Sequence, residues 1–199
     1  MDDTYKTISA ISEGLYKEKG SRFIAFAIPV KSVDEIRDIV KDYRKRYYDA
    51  RHVCYAYMLG AGRENFRSND DGEPSGTAGR PILGQINSAQ LTNVLVIVVR
   101  YFGGILLGTG GLLTAYKEAA ANAIQQAGII EKTVDCVLTV EFEYPLMNAV
   151  MQIIKEMDAQ ITKQHVEYNC MLEISIRKRD CAEFYDKLNK IDGVKTSVL

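Results

Sequence analysis

Arginines, a histidine and short hydroxyl side chains stand in or beside two glycine-rich stretches of this sequence, a combination suited to binding an anion. The first stretch, residues 70–81, holds Asp70, Asp71, Glu73, Ser75, Thr77 and Arg80 among its glycines. The second, residues 100–111, holds Arg100, Tyr101, Gly103, Gly104, Thr109, Gly110 and Gly111. Together they contain eight of the chain's 15 glycines. Arg51 and His52 lie upstream. The planar fork of arginine matches phosphate oxygens, and glycine lets backbone approach a ligand closely. The functional reading is therefore an anion cradle, with nucleic-acid phosphate as the favoured ligand. It would be built from Arg51, His52, Glu73, Ser75, Thr77, Arg80, Arg100, Tyr101 and the glycines and threonine of the second loop. The plainer alternative is that the arginines pair with Asp70, Asp71 and Glu73 and brace the loops.

Other chemistries are less well served by the spacing. His52 could carry a proton near neutral pH, and Cys54 follows two residues later. On a strand such neighbours stand roughly 6–7 Å apart, which suits a nucleophile–base pair poorly. Glu73, Ser75 and Thr77 could form an acid/base and hydroxyl set, but the same residue types are ordinary in a turn and helix cap. Tyr101 and Phe102 could stack on a base, although packing of Phe102 beneath its loop is the commoner arrangement. With no CxxC pair and only two histidines, no metal site is expected. No catalytic residue and no cofactor is assigned.

The elements that must position these residues follow from periodicity. Residues 5–28 alternate loosely as strands, with breaks expected at Gly14 and at Lys19-Gly20. Ser32 and Glu35 form a capping box for a helix running to about Tyr47. Residues 51–59 make a strand, with Val53, Tyr55, Tyr57 and Leu59 on one face and His52, Cys54, Ala56 and Met58 on the other. The first glycine loop feeds a helix ending near Ser88. Residues 94–99 are apolar on both faces, the mark of a buried central strand. The second loop feeds an alanine-rich helix over 112–126, stopped by Gly128, so Thr109, Gly110 and Gly111 should lie at its start with free N–H groups. Beyond Thr133 the order is β-α-β-β-α-β, the ferredoxin-like plan, with Asp180 as a helix N-cap and His165 facing solvent in a hairpin. The expectation is an α+β protein of two domains, residues 1–131 and 132–199.

The 199 residues are 47% hydrophobic and carry a net charge of −1. That supports a folded globule without global attraction to nucleic acid, so any such contact must be local. The N-terminus lacks the apolar core of a secretory signal, and no run approaches the ~20 apolar residues of a membrane span. A cytoplasmic protein with reduced thiols and no membrane partner is expected.

Four segments resemble the IMPACT/YigZ family. They are Lys19-Gly20-Ser21-Arg22-Phe23; His52 with Cys54-Tyr55-Ala56-Tyr57; the run from Asp71 through Gly72-Glu73-Pro74-Ser75-Gly76-Thr77-Ala78-Gly79-Arg80-Pro81 to Leu83; and the run from Val99 through Arg100-Tyr101-Phe102-Gly103-Gly104 to Leu112. The likeness covers about the first two thirds closely. The remainder resembles the small domain appended in bacterial members. It implies an N-terminal βαβ domain like that shared by a ribosomal protein and elongation factor G domain IV. The C-terminal domain should then resemble elongation factor G domain V. It further implies a translation- or RNA-linked regulatory role, with RNA, the ribosome or a translation-regulatory protein as partner. An enzyme acting on a phosphorylated small molecule, or a protein-interaction module, remains the alternative.

Overall fold

The computed structural model describes residues 3–199 and divides into two compact units, Tyr5–Lys132 and Thr133–Leu199, the latter with Asp3 and Thr4. The first unit is built on β1 (Thr4–Ile8), β2 (Ser12–Glu18), β3 (Ser21–Pro29), α1 (Val33–Arg46), β4 (His52–Leu59), β5 (Asn65–Asn69), α2 (Gly79–Ser88), β6 (Val94–Tyr101), α3 (Gly108–Gln126) and β7 (Ile129–Thr133). Five strands form an antiparallel sheet ordered β2-β3-β6-β4-β5, while β1 and β7 pair separately.

β6 is the centre of this sheet because its sequence is apolar on both faces: Val94 to Val99 are all fully buried. Val94, Val96 and Val98 pack with Ile82 and Ile86 of α2 and Tyr116 and Ala119 of α3. Leu95, Ile97 and Val99 pack on the other face with Ile36 and Val40 of α1. Each such aliphatic side chain contributes on the order of 1.5–3 kcal/mol on burial. The sheet is thus held between α1 on one side and α2 with α3 on the other. The alternation in β4 works in the same way: Val53, Tyr57 and Leu59 join the α1 face, and Cys54, Ala56 and Met58 the α2/α3 face.

The local signals at α1 hold: Glu35 N–H donates to Ser32 Oγ at 3.2 Å, and the Glu35 carboxylate reaches back to the Lys31 N–H at 2.7 Å. Gly14 does not break a strand as expected. It lies inside β2, where an added Cβ would come within 2.3 Å of the Ala123 nitrogen of α3, so it is small to admit the helix backbone rather than to turn the chain.

The second unit contains β8 (Asp135–Glu143), a 3-10 turn (Tyr144–Leu146), α4 (Met147–Glu156), β9 (Gln160–His165), β10 (Asn169–Arg177), a second 3-10 turn (Lys178–Asp180), α5 (Cys181–Asn189) and β11 (Lys195–Val198). Its sheet is ordered β11-β8-β10-β9, all antiparallel. Leu138, Val140, Leu172 and Ile174 pack beneath Val150 and Ile154 of α4 and Phe184 and Leu188 of α5. Asp180 occupies the N-cap position of α5 but makes no capping bond, because its own backbone is already helical; its carboxylate pairs with Arg179. His165 is exposed beside Glu167. Cys136 of β8 and Cys181 of α5 lie side by side in this unit, with Cα atoms 6.2 Å apart. Cys54 and Cys170 are free and buried.

Candidate functional site

The first glycine loop is shaped by its own carboxylates. Asp71 and Gly72 both have positive φ, 43° and 85°, and Glu73 N–H closes the turn onto Asp70 O at 2.9 Å, the arrangement for which an Asp-Gly pair is suited. The Asp70 carboxylate receives N–H bonds from Gly76 at 2.8 Å, Ala78 at 3.1 Å and Gly79 at 2.8 Å. Burial opposes its ionisation, but those three N–H groups outweigh it and hold the carboxyl below its ordinary value. Asp71 receives the Val53 N–H at 2.7 Å and the Arg44 guanidinium at 2.6 Å. Thr77 Oγ donates to Pro74 O at 2.6 Å. Neither Asp70 nor Thr77 is left to meet a ligand.

Glu73 turns inward and joins the loop to β4, β6 and α3. Its side chain is 2% exposed, Arg100 lies 2.5 Å from Oε1, and Tyr116 Oη donates to the same oxygen at 2.7 Å. His52 Nδ1–H donates to Asp71 O at 2.7 Å, which leaves Nε2 facing Glu73 Oε2 at 3.8 Å. Cys54 donates its one S–H to Asp70 O at 3.0 Å, and its sulfur lies 3.3 Å from Tyr116 Oη. Burial pushes both the Cys54 thiol and the Tyr116 hydroxyl far above their ordinary values, so neither is an activated group.

The second loop is built differently. Gly103 is pressed against the Gly20–Ser21 backbone, where an added Cβ would overlap at 2.0 Å, and its N–H donates to Ser21 Oγ at 3.1 Å. From there the chain opens. A Cβ at Gly104, Gly108 or Gly110 would meet nothing within 4 Å, and Leu106 is 83% exposed. α3 begins at Gly108, four residues earlier than its alanine-rich segment indicates, with no side chain capping it. Gly108, Thr109 and Gly110 are therefore its first turn, whose N–H groups lack intrahelical acceptors, whereas the N–H of Gly111, one residue further on, reaches the Leu107 carbonyl and is not free as expected.

These parts meet in a half-enclosed cleft of about 440 Å³. Arg51, His52, Glu73 and Arg100 line one side, and Phe102, Leu107, Gly108 and Thr109 the other. Arg100 is 5% exposed, and its Nε–H has no partner. The guanidinium lies 5.8 Å from the ring centre of Phe102. Phe102 is not packed beneath its loop as expected but stands half-exposed at the mouth.

The structure separates other residues that the sequence had grouped. Tyr101 points to the opposite sheet face from Arg100, where it donates to Asp49 at 2.9 Å and lies under Arg22. Arg80 lines a different, shallow groove between α2 and α3, beside Lys117. Ser75 is exposed outside the cleft, and Gly103 and Thr77 serve packing and turn formation. The pairing of arginine with acidic loop residues is realised at Arg100 and Glu73. Tyr116 was missed; its signal was a lone large polar ring in a helix of alanines. Among the described residues no cluster of three or more His, Cys, Asp or Glu is placed to hold a metal ion. Among the described residues no helix is long and apolar enough to cross a membrane.

Residues 19–124, which span both glycine loops and all of the cleft, match the family profile of the Impact N-terminal domain. The chain belongs to the IMPACT family. The Escherichia coli IMPACT family member YigZ is 34% identical over 172 residues, covering 85% of this chain and 84% of that one. The Bacillus subtilis IMPACT family member YvyE is 27% identical, covering 100% and 91%. The rat Protein IMPACT is 35% identical over 96 residues, 46% of this chain and 30% of its own. A crystal structure described as that of a hypothetical protein superposes with a TM-score of 0.76 at 29% identity, covering 100% of this chain and 98% of that one.

Proposed function

We propose that this IMPACT family member is a translation-linked regulatory protein whose cleft binds the phosphate backbone of RNA. One observation carries the reading: a buried arginine N–H without a partner, at Arg100, beside the uncapped first turn of α3. A phosphate oxygen in the cleft would satisfy both sets of donors at once. Two features favour a nucleic acid over a free anion. Arg51 extends the positive side of the cleft, and the half-exposed Phe102 ring offers a base a stacking surface. Membership of the IMPACT family, with eukaryotic proteins named Protein IMPACT among the relatives, supports the translational setting. Arg80 is not part of this site.

The test is fluorescence anisotropy of a short labelled RNA over a salt series. Arg51→Ala removes one exposed phosphate contact and should lower the slope of log K against log salt by about 0.7. Arg80→Ala should leave the slope unchanged. Absence of binding by the parent at low salt removes RNA from consideration.

A second reading, an enzyme acting on a phosphorylated small molecule, is favoured by the fixed tautomer of His52, whose Nε2 faces the cleft. Release of phosphate from such a compound, abolished by His52→Gln while RNA binding persists, would bring it forward.

A further inference from the structure

On the face of the sheet opposite the cleft, α1 leaves the edge of the sheet uncovered, and a groove of about 600 Å³ runs between the helix and β4–β5. Five of its lining side chains are cationic: Arg37, Lys41, Arg44 and Lys45 from α1, and Arg67 from β5. No carboxylate lines it. The opposite wall carries Tyr55 and Tyr57, and Tyr48, 86% exposed, stands where α1 ends.

We propose that this groove is a second site for single-stranded nucleic acid, separate from the cleft. Arg37, Lys41 and Lys45 recur every four residues along α1, a rise of about 6 Å per step. That is close to the spacing of successive phosphates in an extended strand. A cationic row that tracks the backbone, with an aromatic ring for a base, is the pattern of single-strand binding.

Arg44 is held by Asp71 at 2.6 Å, but the charges competing for Arg37 and Lys45 are weak. Asp34 lies 3.2 Å from Arg37 and Asp42 lies 3.9 Å from Lys45, in pairs whose side chains are 69–84% exposed. Such exposed pairs contribute little and can yield to a phosphate. Lys41 and Arg67 form no ion pair among the described residues and are free to contact the strand.

Asp71 separates the two sites: its carboxylate holds Arg44 of the groove and its carbonyl holds His52 of the cleft. The inference does not depend on the cleft reading, since no group is shared as a ligand contact.

The experiment uses the full chain, short fluorescein-labelled oligouridine and a salt series. Lys41→Ala with Arg67→Ala removes two contacts without touching a bonded residue, so the slope of log K against log salt should fall by about 1.4. Tyr48→Ala should weaken binding about fivefold or more at every salt concentration, leaving the slope unchanged. Ultraviolet cross-links should map to Tyr48 or Tyr55. If the double variant binds as the parent does, or cross-links appear only at Phe102, the groove is not a nucleic-acid site. If oligoglutamate of equal length binds as tightly and is equally weakened by Tyr48→Ala, the surface is a peptide site and the proposal falls. An effect of the double variant with none from Arg51→Ala would remove the cleft and leave the groove standing.

Discussion

The two glycine loops differ in where their polar groups are spent. In the first, Asp70 gathers three N–H groups, Asp71 fixes β4 and α1, and Glu73 is buried against Arg100 and Tyr116. In the second, after Gly103, the backbone is open, the helix start is uncapped and apolar side chains face water. Glycine richness therefore has two meanings in one chain. The first loop uses it to pack tightly, as at Gly79, where an added Cβ would lie 2.6 Å from Asn69 N. The second uses it to leave space in front of N–H groups. In the proposed reading the first loop is scaffold, and the second is the surface that a ligand would meet.

The largest test of that division is Glu73→Gln. It leaves Arg100 buried without a counter-charge, and removal of one partner from such a pair costs about 3–5 kcal/mol. Urea unfolding should show that loss. A variant as stable as the parent would mean that the ion pair does not brace the loop.

Asp70→Asn is next. The carboxylate accepts three backbone bonds, and hydrogen bonds to a charged group contribute roughly 1.5–3 kcal/mol. The folded value of this carboxyl lies below its ordinary one. Its contribution is therefore fully present above about pH 4 and is lost as pH falls through the folded value. The stability gap between parent and variant should narrow below about pH 4; a gap that is constant with pH would contradict the assignment.

In the second loop the opposite is expected. Gly110→Ala meets open space within a helix and should leave stability unchanged or raise it by about 0.5–1 kcal/mol, while weakening RNA binding by obstructing approach to the N–H groups. Loss of stability with intact binding would reverse the roles given to the two loops.

The smallest effect concerns Cys54. Buried under the first loop, its thiol should resist iodoacetamide at pH 7 in the folded protein and react only on unfolding, followed by mass spectrometry. Rapid modification in the native state would make the scaffold permeable.

Much of this was legible in the sequence. Residues 94–99 are apolar without alternation, which marked the central strand, and Ser32 with Glu35 marked the start of α1. β5 was not legible, because Asn65-Phe66-Arg67-Ser68-Asn69 is a polar edge strand with no buried face to impose a period. The start of α3 was misplaced because Gly108, Gly110 and Gly111 are poor helix formers, yet the first turn forms ahead of the alanines. Strand alternation already separates Arg100 from Tyr101, so their grouping could have been avoided. The distance between Arg80 and Arg100 could not have been foreseen. It depends on which face of α2 meets α3, and neither flanking glycine loop encodes that.

The most direct measurement is a two-dimensional amide NMR titration of the labelled protein with a short single-stranded RNA. Phosphate binding in the cleft predicts that the N–H signals of Gly108, Thr109 and Gly110 and the Arg100 Nε–H signal move together and saturate, while those of Gly76, Ala78 and Gly79, already bonded to Asp70, stay in place. Movement confined to the first loop, or no movement at Gly108 to Gly110 while RNA binds, would contradict it.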